Sequence, residues 1–140
     1  MGVMESQGQE GVPPEMFRRL RALAHATSGL ELLVLFGSRG RGGTHAGSDW
    51  DFAFRGTPSL DIGLLIADLS AALSTDDVDL VDLDRAGGLL RYRAARDGVP
   101  IYEAQPRAFE RFWLDAVSFW CDARHVLEPS YDAILERISR

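Results

Sequence analysis

Lysine is absent from this chain: all fifteen basic residues are arginine. A lysine nucleophile, a lysine Schiff base and the lysine-bearing phosphate loop are therefore excluded. The single cysteine, Cys121, forbids an internal disulfide and fits a reducing, cytoplasmic setting. Its place in an apolar helical stretch reads as a small core residue. No apolar run approaches the ~20 residues that cross a bilayer, so no membrane contact is expected. Positive charge is also short, with 15 basic against 21 acidic residues and a net charge of −6. That balance argues against direct nucleic-acid binding, which needs a basic face. The three histidines, His25, His45 and His125, are dispersed and lack zinc-ligand spacing. Ser38 lacks the Gly-x-Ser-x-Gly setting of a serine hydrolase.

What remains is a chain of 140 residues, long enough to bury one real core. Residues 1–13 read as a flexible leader without a signal-type apolar stretch. Residues 14–26 read as a helix, with Pro14 in its first turn and Phe17, Leu20, Leu23 and Ala24 on one face. "LELLVLF", residues 30–36, reads as a buried strand. From Gly37 to Ser48 there are five glycines, too many for a stable helix. Residues 49–54 alternate: Trp50, Phe52 and Phe54 on one side, Asp49, Asp51 and Ala53 on the other, as in a half-buried strand.

A helix follows over residues 59–73, with Ser59 as its cap and Ile62, Leu65, Ile66, Leu69 and Leu73 as its stripe. Residues 78–83 read as a third strand. Residues 85–97 read as a helix closed by Gly98, and 99–103 as a strand held to a sheet edge by Pro100. The longest helix spans 107–127, with Phe109, Trp113, Ala116, Trp120, Ala123 and Leu127 on one side and Phe112 and Phe119 flanking. So wide an apolar surface exceeds one packing face and points to a partner contact as well. Residues 131–138 are expected to add a further turn or two. The alternation implies an α/β (α+β) fold: a small mixed sheet of about four strands flanked by helices. The domain proper is expected over 14–105, with a C-terminal helical segment over 106–140 packing on it, on a partner, or on both.

The chemistry concentrates in "LFGSRGRGGTHAGSDWDFAF", residues 35–54. On a strand, residues i and i+2 point the same way, with Cβ atoms roughly 6–7 Å apart. Asp49 and Asp51 so placed repel unless a cation or proton sits between them. Oxygen ligands on a rigid support favour Mg²⁺ or Mn²⁺. The preceding turn offers Gly37 for close backbone approach, the Ser38 hydroxyl and amide, and Arg39 and Arg41 to offset phosphate charge. A phosphate cradle facing a metal-type carboxylate pair is the layout phosphoryl or nucleotidyl transfer needs.

The spaced signature "GSRGRGGTHAGSDWD", with "DDVDLVDLDRAGGLLRYRAARDGVPIYE" further on, resembles the DNA polymerase β-like nucleotidyltransferase superfamily. Within it the chain looks most like the minimal nucleotidyltransferase (MNT) antitoxins that partner HEPN-domain ribonuclease toxins. The resemblance covers about residues 30–103, and departs in having Gly40 where relatives often carry Ala. It implies a third carboxylate in the "VDLV" strand, which is Asp79, with Asp82 as its rival. Strand parity lends Asp79 partial independent support, since it shares a face with Asp77, Val81 and Leu83 while Asp82 points oppositely. It further implies two Mg²⁺ ions on Asp49, Asp51 and Asp79, and ATP held by Gly37, Ser38 and Arg41. The implied reaction is AMP transfer to a tyrosine of the HEPN toxin. Two alternatives stand beside it: a non-catalytic antitoxin acting by contact, and a small-molecule transferase of aminoglycoside type, for which the chain is short.

Overall fold

A computed structural model describes residues 12–36 and 50–127, with side chains described as far as residue 121. The elements run α1 (Pro14–His25), β1 (Leu30–Phe36), β2 (Trp50–Gly56), α2 (Ile62–Leu73), β3 (Val78–Asp82), α3 (Gly88–Asp97), β4 (Val99–Glu103) and α4 (Ala108–Leu127). The strands form one mixed sheet in the order β3-β2-β1-β4. β1 runs antiparallel to both β2 and β4, while β2 and β3 are parallel and joined through α2. The expected small mixed sheet flanked by helices is the fold observed.

β1 sits at the centre because its sequence can be buried on both sides. Only Glu31 of its seven residues is exposed. Each buried Leu, Val or Phe there stabilises the fold by about 1.5–3 kcal/mol. Leu33 and Leu35 join a core with Phe17, Leu20 and Ala24 of α1, Trp50, Phe52 and Phe54 of β2, and Leu65, Leu69 and Leu73 of α2. Leu32, Val34 and Phe36 face a second core with Ala53, Ala94 and Ala95 of α3, and Phe112 and Ala116 of α4. So α1 and α2 cover one face and α3 and α4 the other. β2 is therefore not half-buried as its alternation suggested: Ala53 is fully buried too.

Several boundaries move from their sequence expectation for identifiable reasons. α2 starts at Ile62 rather than residue 59, because the Asp61 carboxylate accepts the Leu64 N–H at 3.0 Å and caps it. Ser59 instead bonds Thr57 through its hydroxyl. Ile62, at the first helical position, is consequently 43% exposed. α3 starts at Gly88 rather than 85, since Arg85 N–H and Ala86 N–H both donate to the Asp82 carbonyl in a tight turn. Gly98 ends α3 in extended backbone (φ −78°, ψ 150°) instead of a left-handed cap. A Cβ there would lie 2.2 Å from the Ala94 carbonyl oxygen and 2.4 Å from Val34 Cγ1, so close packing is its reason.

α4 is rotated relative to its expected stripe. Phe112, Ala116 and Trp120 are buried, with Phe109 partly so, whereas Trp113 is 40% and Phe119 53% exposed. Phe112 is fully buried in the second core, with the guanidinium carbons of Arg55 and Arg91 over its ring at 5.4 and 5.9 Å. Tyr92 stacks on Trp120 at 5.2 Å. Cys121, one residue beyond Trp120, turns outward and is exposed, contrary to its reading as a core residue. β4 lies at the sheet edge as Pro100 required. Ile101 is the extra residue of a bulge, unpaired between Tyr102↔Leu33 and Pro100↔Val34.

Candidate active site

The parallel β2–β3 ladder sets the geometry. Its register pairs Trp50 with Val78, Asp51 with Asp79, Phe52 with Leu80, Ala53 with Val81 and Phe54 with Asp82. Asp51 and Asp79 are thus direct neighbours on adjacent strands, with backbones about 4.8 Å apart by sheet spacing. Side chains in register on neighbouring strands share a face. That face is the one of Ala53 and Val81, two residues along, which pack into the α3–α4 core. Asp51 and Asp79 occupy its uncovered end, Asp51 half-buried and Asp79 exposed. On the other side Asp51 pairs with Phe36, the last residue of β1.

Local structure explains why this end is rigid. Trp50 N–H donates to the Asp77 carbonyl at 2.9 Å, so the ladder is closed just before the two aspartates. Trp50 and Phe52, buried and stacked at 6.3 Å, anchor the opposite face in the first core. Asp82 stands three residues further along β3, opposite Phe54. Its carboxylate accepts the Asp84 N–H at 2.9 Å and lies 3.8 Å from Arg85 Nε, which ties it to the turn before α3.

Of the residues expected at the site, Asp51 and Asp79 are brought together and Asp82 is not. Gly37, Ser38, Arg39, Arg41, His45 and Asp49 lie outside the described residues. Among the described residues no group of three His, Cys, Asp or Glu side chains forms a metal site. Two adjacent carboxylates on a rigid support, with Asp49 one peptide bond beyond Trp50 in sequence, make a donor set suited to a hard divalent ion. Sequence reasoning missed that Asp51 would be flanked by Phe36 and Asp79, because side-chain parity gives faces and not strand order.

Residues 19–107 match the family described as Polymerase beta, Nucleotidyltransferase. The chain belongs to this nucleotidyltransferase family. It is similar to a protein adenylyltransferase MntA of Aphanizomenon flos-aquae (strain 2012/KM1/D3), with 32% identity over 96 residues. That alignment covers 59% of this chain and 63% of the relative's length. Among solved structures, it resembles a chain from a toxin–antitoxin assembly crystallised with AMP-PNP, at TM-score 0.67 and 26% identity. That likeness covers 89% of this chain and 98% of the other. A MntA–HpeT toxin–antitoxin mutant carrying two aspartate-to-glutamate changes matches over the same shares, 89% and 98%, at TM-score 0.67 and 25% identity. The nucleotidyltransferase fold thus accounts for the mixed sheet, and the paired acids lie on its parallel strands.

Proposed function

We propose that this nucleotidyltransferase is an antitoxin that transfers AMP from ATP to a tyrosine hydroxyl of a HEPN-domain toxin and so neutralises it. The observation that carries the reading is the in-register pairing of Asp51 with Asp79 at the uncovered end of the β2–β3 ladder. The likeness to an MntA adenylyltransferase and to toxin–antitoxin chains, one solved with AMP-PNP, supports ATP as donor and a toxin as acceptor.

In this reading Asp49, Asp51 and Asp79 would hold Mg²⁺, which would supply charge neutralisation at the triphosphate and a lowered pKa of the acceptor hydroxyl. Asp79, exposed on an edge strand, is accessible to an incoming protein and takes the tyrosine proton. The tyrosine oxygen bonds to the α-phosphorus, the bond from that phosphorus to the bridging oxygen breaks, and pyrophosphate leaves. Gly37 and Ser38 directly follow Phe36, the partner of Asp51, and are assigned to the β- and γ-phosphates. Arg41 offsets charge developing on pyrophosphate. Trp113, Leu114 and Phe119, 40%, 52% and 53% exposed on α4, are assigned to toxin contact. No helix among the described residues is long and apolar enough to cross a membrane, which is compatible with a cytoplasmic partner.

The test is incubation of the full chain with labelled ATP, Mg²⁺ and the protein encoded beside it. Label on a tyrosine of that protein, with loss of its ribonuclease activity, is expected. Inhibition without label would instead establish an antitoxin acting by contact, and label on an aminoglycoside a drug-modifying enzyme.

A further inference from the structure

A groove of about 570 Å³ runs between α1 and β4, lined among others by Arg18, Arg21, His25, Tyr102 and Glu103. We infer that this groove is a second, non-catalytic binding site for a small phosphate-bearing ligand with a flat ring, of the nucleotide class.

Arg18, Arg21 and His25 stand at i, i+3 and i+7 of α1 and so line one stripe of the helix. Arg21 is fixed in place. Its Nε donates to the Ile101 carbonyl at 3.2 Å, and its guanidinium carbon lies 5.2 Å from the centre of the Phe17 ring. Those two contacts hold the guanidinium in a set orientation beside the groove it lines. A planar, pre-oriented guanidinium suits phosphate oxygens better than a mobile ammonium does. Arg18, one turn earlier, is exposed and has no ion pair or hydrogen bond among the described residues.

Among the described lining residues the one acid is Glu103, whose Oε2 accepts the Phe109 N–H at 2.8 Å at the start of α4. Arg18 and Arg21 against Glu103 leave the described lining with an excess of positive charge, although the chain as a whole carries −6. His25 and Tyr102 meet edge to face, ring centroids 6.0 Å apart, and form an aromatic wall. Guanidinium groups beside aromatic rings match a phosphate attached to a planar base. An acidic peptide would use the arginines and leave the rings idle. The groove is open to solvent, and its volume of about 570 Å³ leaves room for a nucleotide-sized ligand lying along it.

The groove is separate from the paired aspartates. α1 packs on the opposite face of the sheet from Asp51 and Asp79. Tyr102 pairs with Leu33 whereas Asp51 pairs with Phe36, across β1. Three residues along and two strand spacings across place the two about 14 Å apart.

The experiment titrates AMP into the ¹⁵N-labelled full chain in EDTA, which removes divalent metal, and follows amide shifts. Saturable shifts at residues 18–25 and 99–103 are expected, with Kd about 1 mM or tighter. They should persist in the Asp51→Asn/Asp79→Asn double variant, which isolates the groove from the acids. Arg18→Glu should weaken AMP at least tenfold at unchanged Tm, Arg18→Lys less, and inorganic phosphate should bind more weakly than AMP. Shifts confined to the surroundings of Asp51 and Asp79, AMP binding unchanged in Arg18→Glu, or phosphate binding as well as AMP would each overturn the inference.

Discussion

Replacing Asp79 by asparagine separates two consequences of one geometry. Asp51 and Asp79 are cross-strand neighbours, so their charged groups lie about 5 Å apart. Asp79 is exposed, so the water dielectric applies and the repulsion is about 0.8 kcal/mol. Removing one charge in EDTA should therefore raise Tm by about 2–3 °C for a domain of this size. With Mg²⁺ and ATP the same substitution should cut AMP transfer by about 10²–10⁴-fold, the usual contribution of a positioned base, or roughly 3–5 kcal/mol of barrier. Asp82→Asn is the control, since its carboxylate serves the turn at Asp84 and Arg85. It should leave transfer within about threefold of wild type while losing some stability. The assay is initial-rate label transfer to the toxin, beside thermal unfolding followed by circular dichroism. The reasoning fails if Asp79→Asn transfers at the normal rate, or if Asp82→Asn loses as much activity as Asp79→Asn.

Other substitutions probe the scaffold. Gly98→Ala drives a Cβ into the Ala94 carbonyl and Val34, so it should cost about 1–3 kcal/mol in urea unfolding. Phe112→Ala removes a fully buried ring under two arginines and should cost about 3–5 kcal/mol by the same measurement. Asp61→Ala removes the α2 cap and should cost about 1 kcal/mol, with Asp61→Ser recovering most of it. Gly29→Ala should destabilise as well, because φ is +88° and the added carbon would sit 2.9 Å from Thr57 Oγ1; the urea midpoint reports it.

Element identity was readable wherever one periodicity ruled. The apolar run of β1 over residues 32–36 announced a buried strand, and Phe17, Leu20 and Ala24 announced the buried face of α1. Boundaries slipped where a side chain outcompeted the local pattern, as Asp61 does over Ser59, or where a turn took up residues with helical propensity, as at Arg85. The rotation of α4 was hidden because ten of its first fourteen residues are apolar and two adjacent stripes look equally good. The partners that settle on Phe112 and Trp120, Arg55 from β2 and Arg91 and Tyr92 from α3, come from elsewhere in the chain. At the candidate site, alternation correctly put Asp79 and Val81 on one face of β3. That β3 lies beside β2 in register depends on long-range pairing, which no local pattern encodes.

The outer rim of β4 is closed to further strands. Pro100 offers no N–H, the Ile101 carbonyl already receives Arg21 Nε, and the bulge at Ile101 interrupts any straight ladder. Cross-β stacking of one molecule on another is blocked along that rim, so the chain is protected there against ordered aggregation. A companion protein meeting that rim must therefore grip it by side chains rather than by adding a strand, and an Arg21→Ala/Pro100→Val chain should be the more prone to form fibrils.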